Sequence, residues 1–476
     1  MDRFLRREGR WLAGLIAAFA ASRLLLTLLR VPFEMGTLTS AWQFLDVELL
    51  RGDLWRSLYF LHSQPPLFNL YLGTVLQLSP VAPATVFLAV NRLLGLLVCL
   101  GTFGLLRHFR VGRSVAAAAA LALVLRAGFI FDEQKLFYDL PTTALLVTAA
   151  GAFAAALAGR RWGSHLFFMA LFLLCGIRSL FHLLFFALAL GLYLVATRGS
   201  WRERLAPALL PLLLLLAIYA KNGLVFGQFG PSSWLGMNLA RVVTKNVAEE
   251  DRAARIAAGK MAPILRLRPF VPVDAYPEYL QLPPAWEAIP ALASTSKSGG
   301  AANYNHAAFL AIGRDYLAAS ERQIAAEPLA YLAEVGRNWD RMLEPNTGHR
   351  DLRNYAGRLP SGVHLELLAW MAGLETAPAG HWPPSPWRLG LLLLWPAVIL
   401  AALIELLRPL PGLPPLPPQQ RWLQAFLLLA ALWVAGVGNL LEVGENARFR
   451  ACTDPLVLAL GGSLASRAGA LLVKRP

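Results

Sequence analysis

The sequence predicts an all-α polytopic membrane protein with about ten transmembrane helices and a helical extracytoplasmic domain. Of its 476 residues, 57% are hydrophobic and only 15% are charged, and the mean hydropathy is +0.50. Apolar runs of this number and length exceed what a single soluble core could bury. The chain is therefore expected to have the lipid bilayer as its partner along most of its length.

The predicted spans follow from the length of the apolar runs, because a transmembrane helix needs about 20 apolar residues. Arg178 and His182 interrupt the run 164–197, which we interpret as two spans because two preserve the charge pattern of the loops. The segment 65–80 is short and bounded by prolines, which favours an interfacial helix. The predicted spans are 11–29, 86–106, 114–131, 140–158, 164–178, 180–197, 206–221, 387–407, 422–441 and 453–473.

The net charge of +15 does not indicate nucleic-acid binding. The long hydrophilic stretch 222–386 contains 15 basic and 15 acidic residues, so the excess lies in short segments beside the spans. This is the positive-inside pattern, and it predicts cytoplasmic amino and carboxyl termini in the inner or plasma membrane. The basic connections are 107–113, 160–161, 198–204, 408–421 and 474–475.

Three modules follow from this map. Residues 1–221 form an amino-terminal transmembrane module with a first outer loop at 30–85, residues 222–386 an extracytoplasmic helical domain, and residues 387–476 a carboxyl-terminal transmembrane module. Within the domain, helical spacing is visible at 315–343, with Tyr316, Ile324, Leu329, Leu332 and Val335 on the apolar side. The acids lack metal-ligand spacing and no nucleotide motif occurs, so we predict neither a fixed metal site nor another cofactor.

The first outer loop places acids and a histidine between two apolar segments. Asp46, Glu48, Asp53 and His62 lie in the stretch 41–71. A carboxylate and an imidazole at the membrane surface suit proton chemistry on a lipid-borne substrate, although an ordinary polar loop would have the same composition.

Two further polar groups fall on the same predicted side. The turn 131–141 carries acids, a lysine and a tyrosine, and capping of the next helix by Asp139 before Pro141 would explain part of this pattern. Arg178 and His182 are one helical turn apart and are expected on one face; Arg178 could instead reach the lipid headgroups. The turn's candidate substrate-binding residues are Asp132, Glu133, Lys135, Tyr138 and Asp139, to which His182 is added.

The segment 440–456 places arginines outside, against the topological bias. Arg448 and Arg450 stand among Glu442, Glu445 and Asp454. An anionic partner, phosphate or carboxylate, would explain the arginines, and pairing with the neighbouring glutamates is the alternative.

Five short segments, taken in order, resemble the GT-C class of membrane glycosyltransferases, which includes protein O-mannosyltransferases and aminoarabinose transferases. They are QFLDVELLRGD around Asp46, HSQPPLFN (62–69), YDLP (138–141), EPLAYL (327–332) and GENARFRACTDPLVLAL (444–460).

The resemblance implies transfer of a sugar from a polyprenyl-phosphate donor to an extracytoplasmic glycan, lipid or protein acceptor, with inversion at the anomeric carbon. Asp46 would be the general base, with Glu48 or Asp53 as alternatives because Val47 follows Asp46 where many members have a second acid. Ser63 and Gln64 separate His62 from the prolines and leave its role open. The expected donor-phosphate ligands are Arg448, Arg450, Arg178 and His62.

Acceptor selection is expected in the outer domain, where Asn303 to His306 form a polar cluster that could equally be a surface turn. Two other classes of protein share these features. A transporter or flippase of an anionic lipid would predict internal repeats and broken helices in matching halves. A lipid-linked polymer ligase would also place arginines and a large loop outside.

Overall fold

The structure is a computed structural model that describes residues 2–344 and 386–472. These ranges are helical and contain no β-strand; two isolated bridges pair Glu34 with Lys135 and Ser296 with Ala302. The all-α, multi-pass membrane prediction is confirmed. Residues 345–385 of the outer domain, and the basic residues Lys474 and Arg475, lie outside the described residues.

The amino-terminal module contains twelve helices. They are α1 (Asp2–Leu28), α2 (Thr37–Ser40), α3 (Val47–Gly52), α4 (Leu54–Tyr59), α5 (Pro66–Leu78), α6 (Pro83–His108), α7 (Arg113–Leu125), α8 (Ala127–Glu133), α9 (Asp139–Leu157), α10 (Arg161–Ile177), α11 (Leu183–Ala196) and α12 (Trp201–Phe226). The predicted interfacial helix at 65–80 is α5, whose 13 residues are too few to cross the bilayer.

Ten further α-helices follow in the part of the chain that the structure describes. They are α13 (Leu235–Thr244), α14 (Glu249–Ala257), α15 (Pro284–Glu287), α16 (Pro290–Ala293), α17 (Ala308–Ala326), α18 (Pro328–Met342), α19 (Pro386–Leu407), α20 (Pro418–Leu441), α21 (Asn446–Ala451) and α22 (Asp454–Leu472).

Helices occupy all ten predicted span positions, but fewer than ten are long and apolar enough to cross a membrane. Among the described residues, six helices pass this test, and a seventh does so if α7 and α8, bent by 62° at Arg126, count as one span. The helices α10 and α11 are shorter. The six are Glu8–Leu28, Pro83–His108, Asp139–Leu157, Trp201–Phe226, Gly390–Leu407 and Pro418–Leu441.

The run 164–197 forms two antiparallel helices, as predicted. The hydroxyl of Tyr193, near the end of α11, donates to Ser164 at the start of α10 (2.8 Å). Arg178 and His182 lie in the extended connection between the two helices. The prediction that they share one helical face is therefore wrong, because the helix ends at Ile177.

The basic connections 107–113 and 408–421 meet at one end of the bundle. The carboxylate of Glu8 binds Arg107 (3.0 Å) and Arg113 (3.1 Å). At the same end, Gln420 donates to the carbonyl oxygen of His108 (2.6 Å) and Gln419 to that of Leu157 (3.1 Å). The loops predicted to be extracytoplasmic, including 30–85 and 442–452, lie at the opposite end with the described part of the outer domain.

The described part of the outer domain has its own core, formed by Trp234, Met237, Tyr276, Phe309 and Tyr316. A Cβ atom at Gly236 would overlap the backbone of α17, so the glycine permits the close packing of α13 on that helix.

The predicted helix 315–343 is two helices. Pro328 begins the second, because its ring cannot continue the first. Leu329 and Leu332 were expected on an apolar side, but both are exposed.

Candidate functional site

The site is centred on the first residue of α9. Asp139 is buried, and its Oδ1 lies 3.0 Å from Nη1 of Arg178 while Oδ2 lies 3.5 Å from Nε of Arg448. Two of the separately predicted polar segments, 131–141 and 440–456, therefore meet Arg178 in one place.

Arg178 caps the carboxyl end of α10 and is almost completely buried. Its guanidinium lies over the rings of Phe449 (4.4 Å) and Tyr138 (5.0 Å). Its second terminal nitrogen, Nη2, is buried and has no hydrogen-bond partner in the part of the chain that the structure describes. A buried guanidinium with a free donor is suited to bind an anion.

Arg448 lies on α21 and stacks on the ring of Phe137 (4.7 Å). It forms an ion pair with Glu445 three residues earlier on the chain, as the pairing alternative predicted. Its Nε, buried beside Asp139, makes no hydrogen bond to any described residue. Arg448 is therefore paired with two carboxylates, those of Glu445 and Asp139.

Arg178 and Arg448, with Asp139 between them, form an arginine cluster. The stretch 41–71 packs against this cluster through aromatic rings. The ring of Phe44 lies 5.5 Å from that of Phe137, and the ring of Phe68 lies 5.8 Å from that of Tyr138. Gln64 accepts a hydrogen bond from Ser179, the neighbour of Arg178 (3.3 Å). The first outer loop and the late arginine segment are therefore at the same end of the bundle.

Asp46 begins α3 two residues after Phe44. Its carboxylate accepts hydrogen bonds from the backbone nitrogens of Glu48 (3.2 Å) and Ser298 (2.7 Å), and from the hydroxyl of Ser298. The adjacent Lys297 is buried, which lowers the pKa of its ammonium group to about 8, and Asp46 opposes that shift. Asp46 is thus held in a fixed orientation by the outer domain. Glu48 is exposed and contacts Arg51 (3.3 Å).

His62 lies among different neighbours. Its Nδ1 is 2.8 Å from the Ser233 hydroxyl, and its Nε2 is 3.0 Å from the carbonyl oxygen of Asn305, which must accept. Burial lowers the pKa of His62 to about 3, so the ring is neutral near pH 7. With both nitrogens bonded, His62 joins the first outer loop to the outer domain, and its contacts do not support the predicted phosphate binding.

Arg450 is fully buried. Its Nη1 donates to Asp454 (2.6 Å) and its Nε to the carbonyl oxygen of Met342 (2.9 Å). Asp454 also binds Arg126, the residue at the bend between α7 and α8 (2.9 Å). These contacts connect α21 and α22 to α18 and to the broken helix.

The turn 131–141 divides between two environments. Burial raises the pKa of the Cys452 thiol to about 12, and the negative charges of Asp139 and Asp132 act in the same direction. Glu133 instead forms a buried pair with Arg23 of α1 (2.8 Å). Lys135 stacks over Phe137 at 5.5 Å.

The remaining predicted residues lie in packed positions. His182 contacts the ring of Trp433 (4.8 Å). Asn303 donates to the carbonyl oxygen of Ser294 (2.8 Å), and Nδ1 of His306 accepts from the backbone of Ala308 (3.2 Å). Asn303 to His306 are buried, so the surface-turn alternative is wrong.

Sequence reasoning missed several residues around the arginine cluster. Arg126 had a signal, because an arginine inside an apolar run is unusual. No sequence signal marked Trp42, Arg241 or Phe270. The fold brings these three residues together, and Arg241 pairs with Glu442. In the described ranges no three acidic, histidine or cysteine side chains are grouped as metal ligands.

The chain matches no family model, no curated protein and no solved structure. The contacts described above are therefore the basis for a functional proposal.

Proposed function

We propose that this protein is an inverting glycosyltransferase that moves a sugar from a polyprenyl-phosphate donor to an extracytoplasmic acceptor. The observation that carries the proposal is the arrangement of Arg178 and Arg448 beside Asp139, where the buried Nη2 of Arg178 has no hydrogen-bond partner among the described residues. Arginine binds phosphate oxygens through charge-assisted hydrogen bonds, and burial strengthens them.

The second support is the position of Asp46. It is two residues from Phe44, whose ring touches Phe137, on which Arg448 stacks. An acid and a pair of arginines at the same end of a membrane bundle suit a substrate that has its phosphate at the bilayer surface and its sugar outside it.

In the proposed reaction Asp46 accepts the proton of the acceptor hydroxyl. The hydroxyl oxygen bonds to the anomeric carbon as the bond from that carbon to the phosphate oxygen breaks. The bonding electron pair leaves with the polyprenyl phosphate, whose charge Arg178 and Arg448 stabilise. The configuration of the anomeric carbon inverts because the reaction is a single displacement.

The test is transfer from a polyprenyl-phosphate sugar by the purified protein in lipid nanodiscs. Asp46→Asn is expected to lower turnover by about 10²–10⁴-fold, as for loss of a general base, with donor affinity retained. Glu48→Gln and Asp53→Asn, tested beside it, assign the base among the three acids. Unchanged turnover in Asp46→Asn would remove it from this role.

Phosphate binding is tested separately. Arg448→Ala and Arg178→Ala should weaken affinity for the polyprenyl phosphate alone. Arg255→Ala is the matched control, since Arg255 is a partly exposed arginine paired with Glu327 on the outer domain. Equal affinity in all three variants would contradict the assignment.

One observation favours a transporter of an anionic lipid as the second candidate. The bend of 62° at Arg126 breaks an apolar run, and broken helices mark the binding sites of many transporters. Movement of polyprenyl phosphate across the membrane of liposomes, without cleavage of a sugar, would favour this alternative.

A further inference from the structure

A second group of aromatic residues adjoins the arginine cluster. The indole of Trp42 stacks on the ring of Phe270, with centroids 5.1 Å apart and planes inclined by 15°, and lies 5.1 Å from the ring of Tyr304. Trp234 packs edge-on against Phe270 (5.1 Å). Phe270, Tyr304 and Trp234 are buried, whereas Trp42 is 40% exposed. Trp42 is therefore held in place by buried rings while part of its indole remains exposed.

The backbone of Phe270 is strained. Its φ of 63° lies in the left-handed region, which is a marked outlier for a bulky residue. Its carbonyl oxygen accepts a hydrogen bond from the hydroxyl of Tyr304 (2.6 Å), which helps to hold this conformation. Strained residues of this kind cluster at ligand sites. Here the strain places the ring that supports Trp42.

Polar side chains lie at the edge of the aromatic group. The guanidinium of Arg241 is 5.7 Å from the centroid of Phe270 and forms an ion pair with Glu442 (2.8 Å). Glu442 precedes Glu445 and Arg448 in the same loop. On the other side, Trp42 is two residues from Phe44, which leads to Phe137. Trp42 is thus close in the chain to Phe44, whose ring packs on Phe137 below Arg448.

A flat, fixed aromatic face with charged and hydrogen-bonding groups at its edge is suited to a sugar ring. The C–H groups on one face of a pyranose or furanose pack on the indole, and its hydroxyls bond to the groups at the edge.

We propose that the exposed part of the Trp42 indole is the binding surface for the sugar ring of the lipid-linked donor. This inference rests on the proposed glycosyltransferase function and names a residue that binds the part of the donor beyond its phosphate.

A membrane anchor is the other common role of an exposed tryptophan at this level. Trp42 differs from one because its ring is stacked into the outer domain. Trp55, on α4 in the same loop, is 73% exposed and is the matched control.

The experiment measures affinity for two ligands in nanodiscs. One is undecaprenyl phosphate, and the other is undecaprenyl phosphate bearing glucose, mannose or arabinose in turn. In the parent protein, at least one of the sugars should add to the affinity for the carrier. Trp42→Ala should abolish that increment, a loss of about tenfold by the usual value of an aromatic contact, and should leave the carrier's affinity unchanged. Trp42→Phe should retain part of the increment, and Trp55→Ala all of it.

The outcomes separate the two proposals. If the parent binds the carrier but the sugar increment survives in Trp42→Ala, the sugar-binding surface is wrong and the phosphate site stands. If Trp42→Ala weakens both ligands equally, Trp42 has a structural role and the inference is overturned. If the parent binds neither ligand, both proposals fail.

Discussion

The carboxylate of Asp139 lies between two guanidinium groups, 3.0 Å from that of Arg178 and 3.5 Å from that of Arg448. The side chains of Asp139 and Arg178 are 4% and 3% exposed, so little water is present to replace either partner. Asp139 therefore joins two arginines that come from opposite modules of the chain, and Arg448 has Glu445 as a second partner.

Replacing Asp139 with Asn should destabilise the protein strongly. The substitution preserves shape but leaves Arg178 buried without its counter-charge, a change that costs about 3–5 kcal/mol for buried pairs. The measurement is thermal unfolding in detergent, followed by a thiol-reactive dye, because Cys99, Cys175 and Cys452 are buried and become labelled on unfolding.

The control for Asp139→Asn is Glu327→Gln, which breaks the partly exposed pair with Arg255. It should change stability by less than about 1 kcal/mol. Equal shifts in unfolding temperature for the two variants would contradict the buried-pair explanation.

How far the sequence predicted this arrangement depends on the kind of signal. Apolar runs predicted the helices because the length of a run directly determines whether it can span lipid. Charge placement also predicted that the run 164–197 is divided into two helices near Arg178, although it placed Arg178 and His182 on one helical face. The pairing of Glu133 with Arg23 had no such signal, since partners 110 positions apart are set by tertiary packing. Trp42 was missed for the same reason: its partner Phe270 lies in another module.

The Glu133–Arg23 pair makes the packing of α6 testable. A Cβ atom at Gly95 would overlap Oε2 of Glu133 and come within 3.1 Å of the Phe19 ring. The carboxylate cannot move away without losing its bonds to Arg23, so Gly95→Ala should destabilise the protein by about 1–3 kcal/mol.

Gly104→Ala on the same helix is the matched control, because a Cβ atom there would have nothing within 4 Å. It should be neutral or slightly stabilising, since alanine favours the helix. If the two variants unfold at the same temperature, α6 does not pack against the pair as described.

His62 should make stability fall on acidification. Burial lowers its pKa to about 3, so below its ordinary pKa of 6.5 the unfolded chain binds a proton that the folded protein excludes. The free energy of unfolding should then decrease by up to about 1.4 kcal/mol per pH unit as the pH falls from 6.5. His62→Gln should remove this contribution, as measured by unfolding temperature between pH 5 and pH 7. The same substitution at the exposed His165 should leave the slope of the parent.

Glu442 should act in the opposite direction within the same pH range. Burial raises its pKa to about 7 from 4.5, against the opposing charge of Arg241, so between these values the folded protein binds a proton that the unfolded chain releases. Its contribution to stability is therefore present at low pH and is lost as the pH rises towards 7.

Relative to the parent, Glu442→Gln should gain stability as the pH rises from 5 to 7, whereas His62→Gln should lose it. Because the two groups offset each other, the parent should depend on pH less steeply than either variant. Parallel curves for the parent and Glu442→Gln would show that Glu442 does not titrate in this range, and would remove it as a proton-exchanging group beside Arg241 and Arg448.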